Sequence, residues 1–321
     1  MAQPANLYDR FDLNGVREDL IDKIFNTSPT ETPVVSSLGR TKATNTLHEW
    51  QRDSLAAANK DNAMIDGDDF SADSLTATER VGNYCQIFAK KPAVSRRANV
   101  VKKAGRAAEM AYQKAKAMTE IKRDIEAAVL SSNAAVAGNS STASKLGGLG
   151  VQIYTNISSG SGGSTASHTS GAPTTAPTAG TNRAFTETLL KTVVQSAYTN
   201  SGSVPSMVVM SPSHKSTFSG FSGIAVNRYQ VGKKEQARIV GGADVYMSDF
   251  GELEIVPHYI MSGSNTVFLL NTEYAELAFL DSFRTEEMGK TGDSEKVLVT
   301  ADVTLAVRAE KAMAKIADLT A

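Results

Sequence analysis

The feature that most constrains this chain is a helical stripe in residues 97–131. Ala104, Ala108, Ala111, Ala115, Met118, Ile121, Ile125 and Ala128 follow one another at intervals of three or four, the repeat of one helix face. No proline falls between Pro92 and Pro173, so no ring interrupts a continuous helix. At 1.5 Å per residue, ~35 residues reach ~50 Å, against a mean helix of ~11–12 residues. The stripe is mostly alanine, so its face is thin and another layer packs close to it. A spine helix is expected here, rather than one member of a thick bundle.

The segments around the spine have their own signatures. Residues 1–44 read as an arm. Leu13, Val16, Leu20 and Ile24 form one short stripe, too short to hold a helix alone in water, and Pro29 and Pro33 favour extended chain after it. Residues 45–92 read as a long two-stranded excursion. Its limbs are Thr46–Leu55, with the only tryptophan, Trp50, and Arg80–Ala89, rich in β formers. A lone hairpin is marginal in water and needs another surface. From Ser158 to Thr181, 23 of 24 residues are Ser, Thr, Gly, Ala or Pro. Such a stretch buries little and is expected to be a mobile loop or exposed tip.

Residues 183–284 read as mixed α+β. A helical stripe runs from Phe185 to Tyr198, and Ser213–Phe218 starts a second helix. Strands are expected at Met207–Met210, Ala243–Met247, Leu253–Val256, Thr266–Leu270 and Tyr274–Leu280. In 285–321, Val299, Ala301, Val303, Leu305, Val307 and Ala309 alternate with Asp302, Thr304 and Arg308, the period of a half-buried strand. A short helical tail is expected after it.

Composition removes several function classes. With 33 basic and 34 acidic residues the net charge is −1, which is not the overall field of a nucleic-acid coat or a polybasic membrane binder. The single cysteine, Cys85, excludes an internal disulfide and any zinc site needing two thiolates. No run approaches the ~20 apolar residues of a membrane span, and no Sec-type pattern opens the chain, so folding in a reducing cytoplasm is expected. Gly289-Lys290-Thr291 resembles the end of a phosphate loop, but Arg284 stands where the first glycine is required. The four histidines fall in no metal-ligand spacing, and Asp66-Gly67-Asp68-Asp69 does not fit a calcium loop. No cofactor, metal or catalytic site is expected. A hydrolase using Ser222 or His258 is the enzymatic alternative, and it lacks a recognisable base and orienter.

Charge segregation is the remaining signal. Residues 53–79 carry seven acids and one base, Lys60, whereas 80–108 carry eight bases and no acid. Three readings are open: two solvated faces, a basic face for nucleic acid, or an acidic loop tip that reaches the basic region of a second copy. Under the third, the candidate intersubunit residues are Asp66, Asp68, Asp69 and Asp73 on one side and Arg96, Arg97, Lys102, Lys103 and Arg106 on the other. Complementary patches of this kind set register more than affinity.

Four segments together resemble the major capsid proteins of tailed phages with the Hong Kong 97-type fold, in the short-tailed subgroup. They are Thr32-Pro33-Val34-Val35-Ser36-Ser37-Leu38 with His48-Glu49-Trp50-Gln51-Arg52-Asp53-Ser54-Leu55; Asn83-Tyr84-Cys85-Gln86-Ile87-Phe88 leading through Gly105 and Glu109 to Lys122-Arg123-Asp124-Ile125-Glu126; Ser248-Asp249-Phe250-Gly251; and Lys290-Thr291-Gly292-Asp293. The resemblance implies an N-terminal arm (1–44), an extended loop (45–92), a peripheral domain with a spine helix (93–182), an axial domain (183–284) and a return strand to the peripheral domain (285–321). The Ser/Gly/Thr-rich loop within 93–182 departs from the family pattern, being longer than a connector needs, and is read as a surface insertion or a decoration-protein site. The resemblance also implies a non-enzymatic shell protein of the virion. That protein assembles with itself in the host cytoplasm as hexamers and pentamers. Its implied partners are packaged double-stranded DNA, bound without sequence specificity, and scaffold, portal and decoration proteins, with no membrane. An encapsulin-like compartment shell is the alternative within the same fold. Some family members crosslink a lysine to an asparagine; Lys60 lies in the corresponding loop, but no asparagine can be assigned and no crosslink is expected.

Overall fold

The structure, a computed structural model, describes residues 23–67, 74–169, 171–221, 244–290 and 292–320. Leu13, Val16 and Leu20 of the expected arm stripe lie outside these, as do Asp68, Asp69, Asp73 and Ser222.

Two sheets organise the described residues. The first has the order β1 (Gly39–Lys42), β13 (Ala275–Met288), β14 (Ser294–Val307), β4 (Gln86–Lys90), with β5 (Ala93–Ser95) also pairing to β14. Val297, Val299, Ala301, Val303, Leu305 and Val307 alternate along β14 and are all buried. They share one core with Ala117, Ile121, Ile125 and Val129 of helix α3 (Glu109–Val129). The expected strand is therefore present, and its apolar face covers the helix as the period-two pattern requires. Lys90 on β4 pairs with Asp124 on α3 at 2.9 Å, tying sheet to helix at the rim.

The spine is shorter than its stripe predicts. Helix α2 (Arg96–Val100), capped by the Ser95 hydroxyl accepting from the Ala98 amide at 3.2 Å, ends where Val101 turns extended. Residues 101–108 are irregular, and α3 is 21 residues long, or ~32 Å. The break is at Gly105, whose φ of +75° is left-handed; a Cβ there would lie 2.8 Å from Ile24 Cγ1 of the arm. Alanine periodicity does not register such a contact. Ala108, Ala111 and Ala115 of the expected stripe are accordingly exposed. Three bases at 102, 103 and 106 disfavour a helix N-terminus among them, whereas Glu109 in the first turn of α3 suits the dipole.

The second sheet runs β10 (Val245–Ser248), β11 (Gly251–Pro257), β9 (Met207–Met210), β12 (Val267–Leu270), β15 (Ala314–Ile316), β6 (Ile157–Ser158). Helix α5 (Glu187–Ser201) lays Leu190, Val193, Val194 and Ala197 on it, and α6 (Pro212–Ser219) adds Phe218. Thr186 and Ser211 cap the two helices through their hydroxyls, and Gly202 closes α5 at φ +69°. Strands β9 and β12 also present Met207, Val209, Phe268 and Leu270 to the first core, so the second sheet lies between two apolar layers.

Three further expectations are corrected. Pro33 does not extend the chain; it opens a short helix, α1 (Pro33–Ser37), where a ring suits the first turn. The tail is not helical: after one 3-10 turn at Glu310–Ala312, β15 enters the second sheet fully buried. Residues 132–182 are not a free loop. Leu146, Leu149, Val151 and Ile153, which include helix α4 (Leu149–Gln152), are buried, β6 pairs in parallel with β15, and β7 (Ser167–Thr169) and β8 (Ala172–Thr175) form a hairpin.

Cys85 joins Ala43 and Ala278 in a small third core. Burial, with Asp302 nearby as the lesser cause, pushes its thiol up to about 12. The native thiol is expected to resist a disulfide reagent at pH 8 and to react fully in denaturant. Rapid native labelling in a stopped thiol assay would contradict that placement.

Candidate assembly surfaces

Strands β2 (Leu47–Arg52) and β3 (Glu79–Tyr84) pair antiparallel from Leu47 opposite Tyr84 to Arg52 opposite Glu79. The last rung carries an ion pair, Arg52 to Glu79, at 3.3 Å. Beyond it, the described residues of the excursion lie outside any strand and are all exposed. Leu55 and Leu75 are 98% and 92% exposed, and Met64 and Ile65 are also bare. Four large apolar side chains left bare along one excursion are unusual for a monomer surface.

A groove of ≈ 640 Å³ lies across β5, α2 and the start of α3. Val94, Ala98 and Val101 line it together with Arg97, Lys103 and Arg106. The nine charged candidates divide within this frame. Arg106 pairs with Glu109, which also accepts from Gln113, and sits over the Tyr112 ring at 5.3 Å. Arg96 pairs with Asp293 at 2.8 Å, bracing the loop between β13 and β14. Lys103 donates to the Asn99 carbonyl at 3.4 Å. The side chains of Arg97, Lys102 and Asp66 are exposed and have no ion pair among the described residues. Asp68, Asp69 and Asp73 lie outside the described residues.

A buried constellation escaped the sequence reading. Glu126 on α3 is fully buried. Its Oε1 accepts the Val34 amide at 2.9 Å and its Oε2 the Val35 amide at 2.7 Å. These are first-turn N–H groups of α1, which lack helical acceptors, and Thr32 offers them no side-chain cap. The third donor is His258 Nε2, 2.8 Å from Oε1. The Ile260 amide donates to His258 Nδ1 at 3.1 Å, which places the ring proton on Nε2. Tyr259 stacks on this ring at 5.1 Å, and Arg123 lies over Tyr259 at 5.7 Å. One carboxyl group therefore joins the arm, the spine and the segment after β11. His258 is buried with both nitrogens committed, so it is no accessible general base. In the sequence Glu126 closes the Lys122–Glu126 segment and His258 stands as a hydrolase candidate; nothing there pairs the two.

Two cores either side of the second sheet, a groove of apolar and basic side chains, and a hairpin whose end beyond the last rung is wholly exposed fit one class by fold, the Hong Kong 97 type. The chain belongs to the SU10 major capsid protein family, whose model matches residues 4–320. It is 36% identical over 134 residues to the major capsid protein of Escherichia phage Phieco32. That alignment spans 42% of this chain and 38% of the relative. Among solved structures, a chain of the cyanophage A-1(L) capsid asymmetric unit superposes with a TM-score of 0.67 at 12% identity, covering 95% of this chain and 98% of that one. The holo-SrpI encapsulin complex from Synechococcus elongatus PCC 7942 gives 0.54 at 12% identity, covering 98% and 96%. At these identities the likeness is one of fold.

Proposed function

We propose that this chain is a major capsid protein of a phage virion, non-enzymatic, assembling into hexamers and pentamers that close an icosahedral shell around double-stranded DNA. The observation that carries this reading is the bare apolar limb, Leu55, Met64, Ile65 and Leu75, on a chain of the capsid family. Exposed alone, these residues cost solubility; covered by a neighbour, each contributes roughly 1.5–3 kcal/mol. The near-zero net charge suits close packing of many copies and a wall that holds DNA without gripping it. Scaffold, portal and decoration proteins are further partners in this reading, with assembly in the host cytoplasm.

Arm, extended loop, peripheral domain and axial domain are assigned on the division given above, shifted where the sheets require it. Strand β4, within the span 45–92, and strand β13, which runs through residue 284, belong to the first sheet, and β6 and β15 belong to the second.

The acidic loop tip (Asp66, with Asp68, Asp69 and Asp73) reaches the groove of the next copy. Arg97 and Lys103 of the groove and the exposed Lys102 beside it meet the tip, while Arg106 is held within the groove by Glu109 and Arg96 is claimed by Asp293. Reversing Asp66, Asp68 and Asp69 to Lys is expected to cut shell yield at least about tenfold, as ~1.4 kcal/mol per contact implies, with an unchanged unfolding temperature. Unaltered shells in electron micrographs would remove the electrostatic contact.

The encapsulin fold is shared, so cargo discriminates. Particles purified from infected cells are expected to be closed shells containing double-stranded DNA. Dispersed monomers over a broad range of salt and concentration, or shells filled with enzyme, would overturn the proposal.

A further inference from the structure

We infer that the Ser/Thr/Gly-rich insertion 158–181 is a buttress that fixes the direction of the β2–β3 hairpin, with Tyr154 and His168 as the positioning residues that hold its last rung. The part of this inference that concerns shells rests on the function proposed above; the part that concerns the hairpin does not.

The β7–β8 hairpin lies against the edge of β3 that β2 leaves free. There the Gly82 amide donates to the Gly171 carbonyl at 3.1 Å. The approach is backbone on backbone. At Gly171, with φ +80°, a Cβ would stand 2.2 Å from the Arg80 carbonyl oxygen. On the other side of the same strand, a Cβ at Gly82 would stand 2.9 Å from the His48 carbonyl oxygen. Glycine at both places lets the strands seat flush.

The insertion is itself anchored to the body. Ala172 and Pro173 are buried, and the Pro173 carbonyl accepts the Ala135 amide at 2.8 Å. At its base, the Gly160 amide donates to Asp318 Oδ2 at 2.9 Å, and the Thr181 amide to the Ser161 carbonyl at 2.9 Å. A two-stranded ribbon that is marginal alone thus gains a fixed support at its root.

The last rung is held from the same direction. Arg52, already paired with Glu79, donates to the Tyr154 hydroxyl at 2.9 Å. Tyr154 follows Ile153, which is fully buried, and the His168 ring packs on the Tyr154 ring at 4.4 Å. Ring packing of His168 on Tyr154 adds to the Arg52–Tyr154 hydrogen bond in making this seat. His168 Nε2, Arg52 Nε and Trp50 Nε1 are buried without a hydrogen-bond partner among the described residues. Burial, with Arg52 as the lesser cause, holds the imidazole below its ordinary pKa, so a neutral ring covers Tyr154 near neutral pH. The direction of the extended limb decides where its apolar tip lands, and so decides the angle between neighbouring copies.

The test uses the full chain with three substitutions: Gly171→Val, His168→Ala and His168→Phe. In His168→Ala, amide exchange at residues 79–84 is expected to rise at least about tenfold, with the unfolding temperature kept within ~3 °C. His168→Phe, which keeps the ring, is expected to restore wild-type protection. Gly171→Val is expected to give the same rise in exchange, together with open or mixed-diameter particles under conditions where wild type closes uniformly. Should Gly171→Val not fold, the histidine pair decides. Wild-type protection of 79–84 in His168→Ala would overturn the buttress. Raised exchange with uniform wild-type shells would overturn its role in shell geometry. Failure of the wild type to form shells would count against the proposed function and leave the exchange result to judge the buttress.

Discussion

Glu126→Gln is expected to destabilise the subunit by about 3 kcal/mol or more, a fall in Tm of roughly 4–7 °C for a chain of this size. The substitution preserves shape and removes acceptor capacity. Three donors converge on the two carboxyl oxygens: the amides of Val34 and Val35, and His258 Nε2. An amide group must turn its own N–H₂ toward one side or the other. Toward Val35 it meets one N–H; toward Val34 and His258 it meets two. The imidazole cannot relieve the conflict by moving its proton, because Nδ1 is already the acceptor for Ile260. A buried donor without an acceptor costs about 1–3 kcal/mol, and displacing α1 also uncovers Val34 and Val35. His258→Ala should cost less than Glu126→Gln, since the two arm amides keep their acceptors. The double mutant should be less destabilised than the sum, with a coupling of about 0.5–3 kcal/mol. Calorimetry of the four proteins measures this directly. A Glu126→Gln protein melting within 1 °C of wild type would show that the carboxyl group does not hold the arm.

The second large effect is a rise in stability in alkaline solution. Lys315 on β15 is buried and donates to the Gly150 carbonyl. Burial lowers its pKa to about 8, with Asp318 offsetting part of the shift, whereas an unfolded lysine titrates near ~10.4. Between these values the unfolded chain holds more protons than the folded one, so unfolding becomes less favourable as pH rises. Below pH ~8 both states are charged and the full cost of the buried ammonium is present. Above ~10.4 both are neutral and the cost is gone. The gain across the window is about 3 kcal/mol. Denaturant titrations at pH 7.5 and 10, on wild type and Lys315→Met, separate this residue from the other lysines and tyrosines. The wild type is expected to gain relative to the variant. Parallel pH profiles would exclude Lys315 as the source.

Where side-chain pattern decides structure, the sequence was readable. The alternation from Val299 to Val307 placed β14, and the run Met207–Met210 placed β9 to the residue. Ile121 and Ile125 located the buried face of α3 because they are large enough to dominate it. The alanines before them were not, and the break at Gly105 depends on Ile24, distant in sequence. The insertion was misread for a related reason. Its order comes from backbone seated on backbone at Gly171 and from a buried proline, and neither leaves an apolar repeat. The charged candidates show a further limit. Composition marked 80–108 as basic, but could not show that Arg96 is claimed by Asp293 or Arg106 by Glu109. Glu126 was hidden because two of its three partners are backbone amides more than ninety residues away.

The placement of β14 and β15 bears on the order of events in biosynthesis. Strand β14 lies in the interior of one sheet, between β13 and β4, and β15 lies in the interior of the other, between β12 and β6. Neither layer is complete until residues 294–316 have left the ribosome. A nascent chain therefore displays its spine helix and its hairpin before either sheet is closed behind them. Emergence of residues 294–316, rather than any earlier folding step, is the point at which both sheets can close.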